Sequence, residues 1–184
     1  MIPIKFRLLD SKDRESYRQI RLESLTNYPE FFGDTYEEEI NATTLKFDKA
    51  LKSSDGNSFL VGAFSEDILI GICGFIQDGR MKTSHRGDIV QVYVDPSFSG
   101  QGIGSELLKI TIAKAFENGL IDQILLSVVY INEKAINLYK KHCFAPYGML
   151  DNYFRWGEKN WLQIFMVLKR KDYLVKNELK SKAT

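Results

Sequence analysis

Glycines 100, 102 and 104 stand between an alternating apolar run, Val92-Tyr93-Val94, and a helix-like segment carrying Leu108, Ile112, Ala115 and Phe116 on one face. Glycine has no side chain, so backbone N–H groups of such a loop can approach a ligand closely. The helix that follows adds the partial positive charge of its N-terminus. The chemistry of that arrangement is a cradle for phosphate or pyrophosphate. A Walker loop requires Gly-Lys-Ser/Thr at the helix start, whereas positions 104–106 read Gly-Ser-Glu. A Rossmann loop requires Gly-x-Gly-x-x-Gly after the first strand of an alternating β-α series. The run here is Gly-x-Gly-x-Gly, and an antiparallel meander precedes it. A tight strand-to-helix turn that holds no ligand stays open on the loop alone.

Other reactive side chains are sparse. Cys73 and Cys143 are the only cysteines, each within an apolar segment, and read as small buried hydrophobes. His85 and His142 are far apart and lack acidic neighbours at metal-ligand spacing, so no metal site is expected. Of 184 residues, 25 are basic and 24 acidic, and a net charge of +1 lacks the electrostatic footprint of a general nucleic-acid binder. The chain is 44% hydrophobic with no apolar run near membrane-spanning length, which fits a folded, soluble and cytoplasmic protein.

The elements that must position these residues follow from periodicity. Ile4, Phe6 and Leu8 alternate as a strand. Asp10 or Ser11 can cap a helix reaching Leu25, with Tyr17, Ile20 and Ser24 at helical spacing, and Pro29 ends it. Ile40, Thr44, Phe47 and Leu51 predict a second helix over about Glu37 to Lys52. Turn chemistry at Ser53-Ser54-Asp55-Gly56-Asn57 leads to strands at Phe59–Phe64 and Ile68–Ile76, joined by Ser65-Glu66-Asp67. Gly79 to Ser84 reads as a solvated loop. Ile89–Val94 is a third strand, followed by the glycine loop and a helix that Gly119 ends. Ile124–Val129 reads as a buried parallel strand, and Asn132 caps a helix with Ala135, Leu138 and Tyr139. Phe144–Leu150 and Leu162–Leu168 close the pattern. The order is β-α-α-β-β-β-α-β-α-β-β in a single domain over residues 1–170. Residues 171–184 form a short basic tail, read as a solvated terminus.

With those elements in place, Ser99-Gly100-Gln101-Gly102-Ile103-Gly104 resembles the acyl-CoA loop Arg/Gln-x-x-Gly-x-Gly/Ala of the GCN5-related N-acetyltransferases (GNAT). Asn132-Glu133-Lys134-Ala135-Ile136-Asn137-Leu138-Tyr139 is similar to that family's second signature, Asn-x-x-Ala-x-x-Leu-Tyr. One helix and one strand separate the two, and the element order fits from Ile4 to about Arg170. The resemblance implies a mixed, mostly antiparallel central sheet flanked by helices, an α/β (α+β) fold. Two positions depart from the pattern. Ser99 replaces the usual Arg or Gln, and Cys143-Phe144 replaces the common Gly-Phe after the second signature.

The resemblance implies transfer of the acetyl group of acetyl-CoA, as cosubstrate and without a metal, to an amine that attacks the thioester directly. Backbone amides from Gly100 to Ser105, through Gln101, Gly102, Ile103 and Gly104, would hold the pyrophosphate, with Ser99 and Gln101 as side-chain helpers. The backbone of Val92 and Val94 would pair with the pantetheine arm, and an N–H there would meet the oxyanion. Asn132 would bind pantetheine amides. Tyr139 is the implied acid for the departing thiolate, a phenol near ~10 facing a thiol near ~8.5. Gln91 stands where many relatives place a carboxylate and cannot accept a proton. The base stays open among Asp88, His85, Glu37, Glu38, Glu39 and water. The segment Tyr28 to Glu39, aromatic then acidic, suits a cationic amine with an apolar portion, or packs the two helices. The resemblance leaves room for a homodimer, involves no nucleic acid or membrane, and leaves a non-catalytic CoA-binding module as the alternative.

Overall fold

The computed structural model describes residues 3–53 and 56–181, so Ser54 and Asp55 of the expected turn and positions 182–184 of the tail lie outside the described residues. Seven strands are β1 (Ile4–Leu8), β2 (Ser58–Ser65), β3 (Ile68–Gln77), β4 (Arg86–Val94), β5 (Gln123–Val129), β6 (Ala145–Trp156) and β7 (Lys159–Lys169). Five helices are α1 (Arg14–Asn27), α2 (Tyr36–Asn41), α3 (Ile103–Glu117), α4 (Glu133–Lys141) and α5 (Arg170–Ser181). The strand order is β1-β2-β3-β4-β5-β7-β6. The β1–β2, β2–β3, β5–β7 and β6–β7 ladders are antiparallel, and β4–β5 is parallel. The mixed, mostly antiparallel sheet is the architecture the resemblance implied. Two compact units are distinguished, Met1–Ile76 with Ile89–Ala113, and Gln77–Asp88 with Lys114–Thr184.

In the first unit, the chain enters α1 through a short 3-10 turn, Ser11–Asp13, capped by Asp10. The Asp10 carboxylate accepts from the Lys12 N–H, while Asp13 accepts from the Asp10 N–H and from the two terminal guanidinium nitrogens of Arg7, at 2.6 and 2.7 Å. Helix α1 buries Tyr17, Ile20, Ser24 and Leu25, the stripe expected from spacing, together with Arg21. Of these, Tyr17 and Ile20 join Leu9, Leu45, Phe47, Leu51, Leu60, Phe64, Leu69, Ile72 and Tyr93 in a core.

The expected helix to Lys52 is the largest local correction, because α2 stops at Asn41. The Arg18 guanidinium donates to the carbonyls of Glu39, Ile40 and Ala42, acceptors that a continuing helix would need. Ala42 turns into extended backbone. The Asp48 carboxylate then accepts from the Leu45 N–H and from Arg14, tying residues 42–52 into successive turns. Leu45, Phe47 and Leu51 are buried from those turns, whereas Ile40 and Thr44 are exposed. The apolar spacing was real, but the backbone that carries it is irregular.

In the second unit, β4 begins at Arg86, three residues before the expected start, and its ladder with β5 runs from Arg86↔Gln123 to Asp88↔Leu125. The β6–β7 hairpin is longer than the expected strands, closing at Gly157, whose φ is +59°. Its outer half is mostly exposed, so apolar patterning gave no signal there. Gly119 is not left-handed and does not terminate α3. The end is held instead by Arg170, which donates to the carbonyls of Phe116, Asn118 and Ile121. That contact also starts α5, a helix where the tail was read as a solvated terminus, and Tyr173 packs on Phe116 at 5.0 Å between ring centroids.

Candidate active site

The glycine loop lies in the first unit. Strand β4 ends at Val94, the Asp95 N–H bonds the Ile70 carbonyl, and the Asp95 carboxylate accepts from the Ser97 N–H to close a 3-10 turn, Pro96–Phe98. Ser99 is extended, after which Gly100 (φ +80°) and Gly102 (φ +78°) are both left-handed. A Cβ built on either would meet nothing within 4 Å, so glycine is required there by backbone conformation. Helix α3 starts at Ile103, and its first intrahelical bond runs from the Glu106 N–H to the Gly102 carbonyl. Gly104 therefore belongs to the first turn of the helix, one correction to its reading as a loop glycine. Ser99, Gly100, Gln101 and Gly102 are exposed, whereas the Ile103 side chain is buried and leaves only its backbone for a ligand. The geometry is an exposed turn of two left-handed glycines followed by a fifteen-residue helix, an arrangement whose free helix N-terminus can hold an anion.

Val92 and Val94 are half-buried on β4, and Ile89, Gln91 and Tyr93 alternate with them as buried residues. Gly71 on β3, to which the sequence assigned no role, accommodates this strand: a Cβ there would lie 3.1 Å from the Tyr93 carbonyl oxygen and 3.0 Å from Leu107. Gln91 itself is left-handed (φ +54°), a bulge-like residue inside a strand. Nothing in the sequence marked it, since glutamine gives no signal for a positive φ.

The candidate acceptor segment is more structured than its composition suggested. Arg21, 1% exposed, donates to Glu39 at 3.1 Å and to Asp34 at 2.6 Å, and its guanidinium lies 5.0 Å from the Phe32 ring centroid. Tyr28 and Phe31 stack, and Tyr28 meets Tyr93 edge-on. The Tyr93 hydroxyl donates to Glu23 at 2.7 Å and accepts from Asn27 at 2.9 Å. Burial and the Glu23 carboxylate push the Tyr93 phenol well above its ordinary range. Among the candidate bases, Glu38 forms a capping box with Thr35, whose backbone and hydroxyl hydrogen bonds lower its pKa, and Glu39 is engaged by Arg21. Glu37 is exposed.

Asn132 and Tyr139 lie in the second unit, as do His85 and Asp88. The Asn132 side-chain oxygen accepts from the Ala135 N–H at 3.1 Å, so it caps α4 as expected. Tyr139 is 7% exposed and meets Phe144 edge-on at 6.0 Å. The helix ends in a Schellman turn: the Phe144 N–H bonds the Tyr139 carbonyl and the Cys143 N–H bonds that of Lys140. Cys143 takes the left-handed position of that turn (φ +68°), where the family pattern has glycine. Among the described residues no group of three or more potential metal ligands is found, and no helix is long and apolar enough to cross a membrane.

A family model described as the acetyltransferase (GNAT) family matches residues 17–144. The chain is 27% identical to an N-alpha-acetyltransferase of Sulfolobus acidocaldarius, over 83% of this chain and 94% of that protein. It is 25% identical to a spermidine N(1)-acetyltransferase of Escherichia coli, over 82% and 77%. A shorter match, 37% identical, covers 41% of this chain and 40% of N-alpha-acetyltransferase 30 from Dictyostelium discoideum. A GNAT-family acetyltransferase structure from Streptococcus pneumoniae superposes with TM-score 0.80 at 24% identity, covering 91% of this chain and 99% of that one. A Salmonella typhimurium acetyltransferase solved with acetyl-CoA superposes with TM-score 0.77 at 17% identity, covering 91% and 94%.

Proposed function

The chain belongs to the GNAT acetyltransferase family and is an acetyl-CoA-dependent N-acetyltransferase, and from that premise we propose that it acetylates a primary amine by direct attack on the thioester. The acceptor is a small amine, an amino acid or a protein amine. The observation that carries the reading is the exposed loop with left-handed Gly100 and Gly102 leading into α3. Amides from Gly100 to Ser105, including those of Gln101, Gly102, Ile103 and Gly104, hold the pyrophosphate, with help from the side chains of Ser99 and Gln101. Such a grip uses backbone dipoles rather than basic side chains, which agrees with a net charge of +1.

In this reading the backbone of Val92 and Val94 aligns the pantetheine arm and supplies an N–H to the developing oxyanion. The amine nitrogen bonds to the thioester carbonyl carbon, the C–S bond breaks, and Tyr139 donates a hydrogen bond or proton to the departing thiolate. Asn132, its oxygen committed to the α4 cap, offers its amide N–H groups to pantetheine. The ammonium proton leaves through water. The engagement of Glu38 and Glu39 supports this, as does Gln91 in place of a strand carboxylate. One cytoplasmic acetyltransferase domain over residues 1–170, with a second copy as partner, completes the proposal.

The test is incubation with acetyl-CoA and a panel of peptides, polyamines and amino acids, following release of free thiol. Turnover on at least one amine is expected. Tight CoA binding with no turnover on any amine would favour a non-catalytic CoA-binding module, and calorimetric binding of ATP or NAD but not acetyl-CoA would overturn the reading.

A further inference from the structure

Inside β4, Gln91 adopts a left-handed backbone that side-chained residues rarely take, so something must hold it. The structure shows what does. The Tyr17 hydroxyl donates to the Gln91 side-chain oxygen at 2.8 Å, both residues being buried. Burial pushes the phenol well above its ordinary range, so the hydroxyl keeps its proton and donates it to Gln91. The Gln91 amide nitrogen has no partner among the described residues, so the Tyr17 hydroxyl holds this side chain through its oxygen alone. Tyr17 is itself held firmly, with no exposure and Phe47 packed edge-on at 6.2 Å. Phe47 in turn sits so close to Gly74 of β3 that a Cβ there would lie 2.3 Å from its ring. Helix α1, the turns of residues 42–52 and β4 thus meet around Tyr17.

We propose that Tyr17 is a positioning residue for acetyl transfer: through Gln91 it locks the left-handed bend of β4 and thereby sets the direction of the backbone at Val92. A left-handed residue breaks the regular alternation of N–H and C=O directions along a strand, so the bend decides where the next amide points. Tyr17 touches no reactant in this assignment. The inference rests on the reading that the Val92–Val94 backbone serves the thioester.

The test exploits the fact that glycine needs no clamp at a positive φ while alanine does. Gln91→Ala is expected to lower kcat about tenfold or more, with the KM for acetyl-CoA within about twofold, because a small misdirection of a catalytic donor costs rate before binding. Gln91→Gly is expected to keep most of what Gln91→Ala loses. Tyr17→Phe should resemble Gln91→Ala, and adding Gln91→Gly to it should restore turnover. Equal kcat in the Ala and Gly variants would overturn the proposal, as would an equal Tyr17→Phe penalty in both backgrounds. Amide hydrogen exchange over residues 89–94 provides an arm that needs no turnover. Faster exchange in Gln91→Ala than in Gln91→Gly supports the clamp, and equal exchange overturns it. A wild-type protein that binds acetyl-CoA yet acetylates no amine refutes the acetyltransferase reading alone, and the exchange arm then decides the clamp.

Discussion

The turn entering α3 and the turn leaving α4 both change direction through left-handed residues, and they do so with different chemistry. Entry into α3 uses Gly100 and Gly102, exposed and with open space where side chains would be. Exit from α4 uses Cys143, a residue for which left-handed backbone is unfavourable, secured by two turn hydrogen bonds and by Phe144 against Tyr139. The first turn is exposed, and its proposed role is binding. The second folds inward and fixes the ring proposed to act on the leaving group. A helix start has donors to offer a ligand, whereas a helix end must satisfy its own carbonyls.

The contrast can be broken most severely at the ring. Tyr139→Phe is expected to reduce kcat about a hundredfold while acetyl-CoA affinity stays within about twofold, measured by thiol release and calorimetry. Unchanged turnover would remove Tyr139 from the chemistry. Next in size, Gly102→Val should weaken acetyl-CoA binding by roughly tenfold or more with thermal stability little changed, since a β-branched residue cannot hold a left-handed φ without redirecting the amides around it. Loss of stability with retained affinity would show that this turn serves folding instead of binding.

Smaller effects sharpen the other half of the comparison. Cys143→Gly relieves the backbone of the α4 exit and should stabilise the protein by about 0.5–1 kcal/mol, read as a higher melting temperature with kcat nearly constant. A drop in kcat would show that the thiol side chain helps to place Tyr139. The smallest effect is expected at Glu66 (φ +55°), in the two-residue turn between β2 and β3. There Glu66→Gly should add a few tenths of a kcal/mol and leave kinetics untouched. The two cysteines also differ: burial pushes the Cys73 thiol up to about 12, so it remains a thiol, unlabelled by thiol reagents in the native protein at pH 8.

Legibility followed the same physics. The boundaries of β1, a cap at Asp10 or Ser11, which falls on Asp10 and closes the 3-10 turn ahead of α1, and the Asn132 cap were readable because local patterning and capping chemistry act over a few residues. The extent of α2 was not, since Arg18 and Asp48, distant or unremarkable in sequence, redirect the chain after Asn41. Helix α5 was missed because Arg170 earns its role through carbonyls some fifty residues away. In the candidate site, the glycines and the Asn132-to-Tyr139 signature were legible as residue types. The Glu23–Tyr93–Asn27 chain, the Arg21 network and the Gln91 bend involve ordinary residues whose partners only folding supplies.

Sequence alone determined the family and the order of elements as far as β7, together with the two motifs, because periodicity, capping and glycine spacing are local properties of a chain. Tertiary structure decided which side-chained residues bend left-handed and what clamps them. It also decided which carboxylates are already engaged, because burial and long-range hydrogen bonds do not exist until distant segments meet.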